Sequence, residues 1–238
     1  MYHWAEGILE RSKLTFGISL KNSEVLKAEN ISVEISPERL ELGDWWKLLD
    51  LPIDWDRLLP GGPLNVEVGF GKGELLLDMA QKHPEYRYIG MERYAKGHRK
   101  LLGSAREKGL DNLISMVGDA YIIMNVAFED SSLEQVVCNF SDPWPKARHA
   151  RRRLYTEEFF SLVCRKLKIG GKLAIATDDV PYSLQALKAL NGTEGLTSTH
   201  PETDWLRESP HSARSRYELR WIEEDRELRY FLYRKGGS

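Results

Sequence analysis

Cysteine is scarce in this 238-residue chain, with Cys138 and Cys164 the only two. They give neither a disulfide framework nor a zinc-binding spacing, and each lies in an apolar segment, so both read as buried core thiols of a reducing compartment. No run approaches the ~20 consecutive apolar residues of a membrane span. The opening Met1-Tyr-His-Trp-Ala-Glu6 lacks the basic-then-apolar profile of a secretory signal. The cytoplasm is therefore the expected location, with no membrane partner and no bound metal. An excess of one charge is missing too: 34 Lys and Arg oppose 36 Asp and Glu, a formal net charge of −2. No global cationic field draws the protein to nucleic acid, so any such attraction must come from local clusters. Repeats and low-complexity tracts are absent as well.

One cluster stands out. Asn139-Phe-Ser-Asp-Pro-Trp-Pro-Lys-Ala-Arg-His-Ala-Arg-Arg-Arg153 places Asp142 in a Pro-Trp-Pro turn just ahead of five cations, Lys146, Arg148, Arg151, Arg152 and Arg153. Each proline fixes its own φ and pushes the preceding residue toward an extended conformation, which leaves Asp142 and Trp144 little backbone freedom. The short apolar run 133–140 before it reads as a buried strand. Asp142 is thus expected just past a strand's carboxyl end, where open α/β sheets bind ligands. An aimed carboxylate beside a polyanion-binding patch points to chemistry on nucleic acid. The plainer alternative is an ordinary Asp-Pro turn, a Trp144 that caps the core, and a solvated basic helix start. A looser second basic group, Arg207, Arg214, Arg216 and Arg220, is interrupted by Glu208 and Glu218.

Residues 1–60 read as an extension that packs on a larger body. They include an alternating strand-like run at 31–35 and three tryptophans, Trp45, Trp46 and Trp55. Pro60-Gly-Gly-Pro63 marks the break to a single domain over 61–238. From there the pattern predicts strand 64–70, helix 74–82, strand 86–91, helix 94–108, strand 113–117, short helix 120–127, strand 133–140, helix 156–167 and strand 172–176. Such β/α alternation implies a doubly wound, mostly parallel sheet with helices on both faces. Thr156 suits a helix cap and Ile169-Gly-Gly171 a helix stop. At the end, residues 217–223 and 227–234 read as two strands of a hairpin around Glu224-Asp225-Arg226, adding an antiparallel edge.

The first of these strands runs into Glu67-Val-Gly-Phe-Gly-Lys-Gly73. Gly69, Gly71 and Gly73 allow a ligand to approach the backbone. The dinucleotide fingerprint is G-x-G-x-x-G; here the third glycine comes one residue early, and an acid stands two before the first. A carboxylate there suits a cationic, amine-bearing ligand better than a diphosphate. Glu92, at the end of the second strand, can accept from both hydroxyls of a ribose, and Asp119, before Ala120, from an adenine amino group. The set describes S-adenosylmethionine more closely than a nicotinamide dinucleotide. Each acid also has a structural alternative: Glu67 as an edge residue, Glu92 as a surface acid paired with Arg93, Asp119 as a helix N-cap.

These motifs resemble those of the bacterial tRNA (guanine-N7)-methyltransferases. The resemblance rests on the 67–73 loop, Gly118-Asp119-Ala120, residues 139–146 with Arg148-His149 and 151–154, Gly170-Gly171 and Thr177-Asp178. It is strongest over 64–182, and Ser215-Arg216-Tyr217-Glu218 echoes the family's Thr-x-Phe/Tyr-Glu motif. It implies a class I methyltransferase fold with an antiparallel last strand, and transfer of a methyl group from S-adenosylmethionine to N7 of a guanine in the tRNA variable loop. By the same resemblance Glu67, Gly69, Gly71, Gly73, Glu92, Asp119 and Ala120 hold the cofactor, and Asp142, Asp178, Ser215 and Glu218 surround the guanine. The basic run then meets tRNA phosphates, in a monomer or homodimer. Ser215 departs from the usual threonine but keeps the hydroxyl. A dehydrogenase, a non-catalytic RNA-binding module, and a class I methyltransferase acting on another RNA or a small molecule are the competing readings.

Overall fold

The structure, a computed structural model, describes residues 51–211 and 213–237 together with the backbone of two short strands. Those strands, β1 (Leu26–Ala28) and β2 (Ile31–Val33), pair antiparallel. β2 falls in the alternating run expected at 31–35; Trp45 and Trp46 lie outside the described residues.

The body is a seven-stranded sheet. In chain order its strands are β3 (Leu64–Val68), β4 (Arg87–Glu92), β5 (Leu113–Val117), β6 (Leu133–Asn139), β7 (Leu167–Thr177), β8 (Leu196–Ser198) and β9 (Arg229–Lys235), arranged in space as β5-β4-β3-β6-β7-β9-β8. The pairs among β3 to β7 are parallel, and β9 runs antiparallel to both β7 and β8. Every residue of β3 is buried, as a central strand covered on two faces requires. On one face α2 (Glu74–Lys82) and α3 (Ala95–Glu107) bury Leu76, Ala80, Leu101 and Ala105 against Phe70, Tyr88 and Leu113. The other face carries α4 (Ala120–Ala127), α5 (Glu157–Lys166) and α6 (Val180–Gly192), whose Ile123, Phe159, Val163 and Tyr182 share a larger core with Val66, Ile89 and Phe231.

The short helix α1 (Trp55–Leu58) joins that larger core. The Trp55 ring stacks on Phe128 with centroids 5.1 Å apart, and its indole N–H donates to the Ala127 carbonyl at 2.9 Å. Trp55 itself thus packs against the end of α4. Thr156 caps α5 as expected, its hydroxyl accepting from the Phe159 amide at 3.2 Å.

Two expectations are corrected. Residues 217–223 are not a strand: Arg216–Glu223 forms helix α7, and no hairpin turns at 224–226. Its start is a capping box, in which the Ser215 hydroxyl accepts from the Glu218 amide and the Glu218 carboxylate from the Ser215 amide. The sheet edge beyond β9 is instead β8, three residues long. Nor does Ile169-Gly-Gly171 stop a helix. α5 ends at Lys166, Leu167 already pairs with Leu133, and the next pair joins Gln135 to Lys172, so the glycines lie in a bulge with Gly170 at φ +80°.

Candidate active site

β3, β4 and β5 end together, with Val68 opposite Met91 and Glu92 opposite Val117. The turn after β3 has Gly69, Gly71 and Gly73 at φ +72°, +60° and +84°, a conformation that disfavours any side chain. Glu92 staples this turn in place. One carboxylate oxygen accepts from the Gly71 amide at 2.9 Å, the other from the amides of Arg93 and Tyr94 at 2.7 and 3.0 Å. α3 presses on the same turn through Gly97, where a Cβ would stand 2.1 Å from the Gly71 carbonyl oxygen. Gly97→Ala must therefore displace backbone. The expected result is a loss of about 1–3 kcal/mol of stability in chemical denaturation, together with weaker binding of any ligand seated on the turn.

Glu67 lies beneath the turn, 4% exposed, and its Oε2 has no hydrogen-bond partner among the described residues. Burial first, then the nearby Glu74 and Glu92, push its carboxyl up to about 8, against the Leu76 amide that lowers it. A buried, unsatisfied acid is costly unless something pairs with it, and a cationic group above the turn would do so. Asp119 is more occupied. It caps α4, one oxygen accepting from the Tyr121 amide at 3.0 Å, while the other meets Arg93 at 2.8 Å; Ala120 opens the helix. The cap noted as an alternative for Asp119 is therefore real. Next to these acids Tyr94, Tyr121 and Ile122 are exposed by 66%, 44% and 50%. Sequence reasoning passed over them; the signal was a tyrosine two residues after each acid, Tyr94 after Glu92 and Tyr121 after Asp119.

The second half of the site follows β6. Phe140 and Trp144 both have positive φ, +54° and +42°, so the turn holds two non-glycine residues in a strained region. The reason it persists is Arg153. Its guanidinium donates to the carbonyls of Pro143 at 2.9 Å and Trp144 at 3.1 Å, and to the Gln185 amide oxygen of α6 at 2.8 Å. Arg152 lies over the Trp144 ring at 4.8 Å, and His149 meets that ring edge-on. The 3₁₀ helix Ala147–Arg152 buries none of its residues, leaving Lys146, Arg148, Arg151 and Arg152 at the surface. Asp142 is exposed, and no hydrogen bond or ion pair engages it among the described residues.

Tyr155 fixes the spacing of this turn from the next. Its hydroxyl is 2.5 Å from the Cys138 carbonyl on β6 and 2.9 Å from the Ala176 carbonyl on β7. Its ring stacks on Tyr182 at 4.6 Å, and the Tyr182 hydroxyl accepts from the amides of Leu154 and Tyr155. After β7, Asp178 pairs with Arg226 at 2.7 Å, and that guanidinium in turn covers the Trp221 ring. Asp179, not Asp178, caps α6.

Glu218 is 1% exposed and heavily engaged. Besides the capping box with Ser215, its Oε1 accepts from Arg214 at 2.5 Å and from the Tyr230 hydroxyl at 2.6 Å. Tyr230 meets Phe140 edge-on at 6.4 Å, which joins α7 to the 139–142 turn. The expected site residues thus gather at the carboxyl edge of the sheet in two groups, one around the glycine turn and one around Asp142. Among the described residues no cluster of His, Cys, Asp and Glu is arranged to hold a metal, and no helix is long and apolar enough to cross a membrane.

A family model described as "Putative methyltransferase" matches residues 61–230. The 16S rRNA methyltransferase KamB shares the fold, with a TM-score of 0.55 over 84% of this chain and 97% of its own at 13% identity. A tRNA (guanine-N(7)-)-methyltransferase of Yersinia enterocolitica is 34% identical over 189 residues, 77% of this chain and 79% of that protein. One from Cronobacter sakazakii is 38% identical over 144 residues, 60% of each chain. The matched span holds the glycine turn, the Asp142 turn and the strand-end acids at the same sheet edge, and the chain belongs to the tRNA (guanine-N(7)-)-methyltransferase family.

Proposed function

We propose that the protein transfers a methyl group from S-adenosylmethionine to N7 of a guanine in the tRNA variable loop. The observation that carries the cofactor half is Glu67, a buried carboxyl with an unpartnered oxygen under a turn where three successive glycines leave the backbone open. A ligand bearing an ammonium group satisfies that acid. Glu92 would hold the ribose hydroxyls, and Asp119 with Ala120 the adenine, against the apolar surface of Tyr94, Tyr121 and Ile122. When bound, S-adenosylmethionine supplies an electrophilic methyl on a sulfonium.

Guanine N7 carries an in-plane lone pair and no proton, so no base is needed to expose it. The protein's tasks are alignment and electrostatics. As the methyl arrives, positive charge develops on the purine, and Asp142, an exposed acid with no partner among the described residues, stabilises it. The N1–H and N2–H₂ donors on the opposite edge of the base need an acceptor. Asp178 fits that role better than Glu218, whose carboxylate is buried beneath α7 and already accepts from Arg214, Tyr230 and Ser215. Glu218 and Ser215 then shape the pocket by fixing where α7 begins. Lys146, Arg148, Arg151 and Arg152 would take tRNA phosphates, and His149 at most a phosphate contact. Arg153, spent on the turn, would contribute to its shape instead of to RNA binding. Phosphate contacts carry no sequence information, so selection rests on tRNA shape and on the captured base. The guanine must leave its stack to reach the sheet edge.

The test is transfer of labelled methyl from S-adenosylmethionine to bulk tRNA, followed by nuclease digestion to nucleosides. Label is expected in 7-methylguanosine. Label in another nucleoside would overturn the guanine pocket, and cofactor binding without transfer would favour the RNA-binding module.

A further inference from the structure

The outward face of α3 is cationic, and neither the fold nor the reaction above uses it. The helix buries His98, Leu101, Leu102 and Ala105 on its inner side, while Lys96, Arg99, Lys100 and Arg106 are exposed. No ion pair or hydrogen bond engages those four among the described residues, and the one acid of the helix, Glu107, stands at its far end. Local electrostatics oppose this arrangement. Tyr94 gives the helix no side-chain cap, and the first turn holds Lys96 and no acid, where the positive end of the helix dipole disfavours a cation. Lys96 also stands three and four residues before Arg99 and Lys100, so like charges repel across adjacent turns. Gly103 adds a second cost. It lies mid-helix in the same stripe, one turn beyond Arg99 and Lys100, where glycine is a poor helix former, yet a Cβ there would meet nothing within 4 Å. No contact among the described residues requires a glycine at that position; a partner's backbone coming close to the helix does.

The face is also well placed. α3 starts three residues after Glu92, and its Gly97 sits against the Gly71 carbonyl of the glycine turn. The cations at 146–152 follow β6 and are tied through Arg153 to α6, on the other face of the sheet. The two basic groups therefore flank the site from opposite faces.

We propose that the outer face of α3, with Lys96, Arg99, Lys100 and Arg106 around Gly103, is a second RNA-docking surface that binds phosphates of the substrate tRNA on the side of the site away from the 146–152 cations. The inference rests on tRNA being the substrate and adds where a second part of that molecule is held. A polyanion supplies the counter-charge that the described residues do not. From Lys96 to Arg106 the face runs about 15 Å along the helix axis, long enough to meet more than one phosphate. An anionic membrane fits less well, because a helix that lies on a bilayer needs a free apolar face and that of α3 is buried in the body.

The experiment measures binding of bulk tRNA between about 50 and 200 mM salt, with S-adenosylmethionine affinity by calorimetry and melting temperature as controls. Lys96→Gln combined with Lys100→Gln is expected to weaken tRNA binding roughly tenfold at the low-salt end and to reduce the slope of log affinity against log salt by about 1 per lysine. Cofactor affinity stays within about twofold of wild type and the melting temperature does not fall. Arginine at both positions retains the binding. Lys168→Gln combined with Lys172→Gln removes the same charge from exposed positions near the start of β7, away from the carboxyl edge, and leaves tRNA affinity unaltered. Gly103→Gln raises the melting temperature by about 2–4 °C, because it removes a helix-interior glycine, yet weakens tRNA binding severalfold by blocking the close approach. Unchanged affinity and slope in the Lys96 and Lys100 variant, or an equal loss in the Lys168 and Lys172 variant, overturns the proposal. So does a loss of binding to anionic vesicles with tRNA affinity intact. Binding is read without methyl transfer, so absence of label from wild type would sink the reaction and leave this test standing, while no tRNA bound by wild type would sink both.

Discussion

Asp142→Asn lowers the rate of methyl transfer by about 10²-fold or more while leaving the folded protein and its cofactor affinity unchanged. The size follows from the kind of interaction removed: a group pre-positioned where charge develops in the transition state is typically worth about 10²–10³ in rate. The selectivity follows from the geometry. Asp142 is exposed and engages no described residue, so its replacement breaks no native contact and stability should stay within about 0.5 kcal/mol. Asparagine keeps the size and a hydrogen-bonding oxygen, so the loss isolates the charge. The turn itself does not relax, because Arg153 holds the carbonyls on either side of the second proline's partner, Trp144, and links them to α6. Single-turnover rates at saturating tRNA should fall while KM for tRNA moves little, since the phosphate-facing cations are intact. A variant that transferred methyl at the wild-type rate would remove Asp142 from the reaction and leave Asp178 as the acid to test.

The fold was readable where local and tertiary preferences agree. Helices 74–82 and 120–127 and strand 113–117 appear with the expected bounds, because glycine, an N-capping acid and a short apolar run mark each one. It was misread where they conflict. Tyr217, Leu219 and Trp221 alternate with charged residues at period two, which reads as a strand facing a core. In α7 those residues need no shared buried face, since the helix docks through Glu218. Serine followed three residues later by glutamate was the available warning. β8 is too short to carry any periodic signal. At the site, residue types and spacing identified the acids, but not how far each is already engaged. The ion pair of Asp178 with Arg226 spans 48 residues, and the Arg153 contacts are to backbone carbonyls, which every residue possesses. Neither has a sequence signature. The same limit explains why one of five clustered arginines and lysines turns out to be a strut.

Between pH 6 and 7 the affinity of wild type for S-adenosylmethionine rises about tenfold, and that of Glu67→Gln stays flat. Glu67 is pushed up to about 8, first by burial and then by Glu74 on α2 and Glu92 on β4. In the ligand-free protein near neutral pH it therefore holds a proton. A cationic ligand pairs with the ionised form, so binding expels that proton, and each pH unit below 8 costs about a factor of ten in affinity. Stability moves the opposite way. The folded pKa lies above the ordinary value of 4.5, so the unfolded chain gives up its proton first. The stability contributed by the protonated acid is complete below about 4.5 and is lost as pH climbs toward 8. Chemical denaturation of the ligand-free protein should show wild type losing stability relative to Glu67→Gln across that interval. Calorimetry in two buffers of different ionisation enthalpy reads the proton released on binding directly, and the glutamine variant cancels the titration of the ligand's own amine. Equal affinity at pH 6 and 7 with no proton released would mean that Glu67 is ionised before the ligand arrives. Its unpaired oxygen would then need a native partner, such as an ordered water, and the acid would serve as a fixed charge instead of one created by binding.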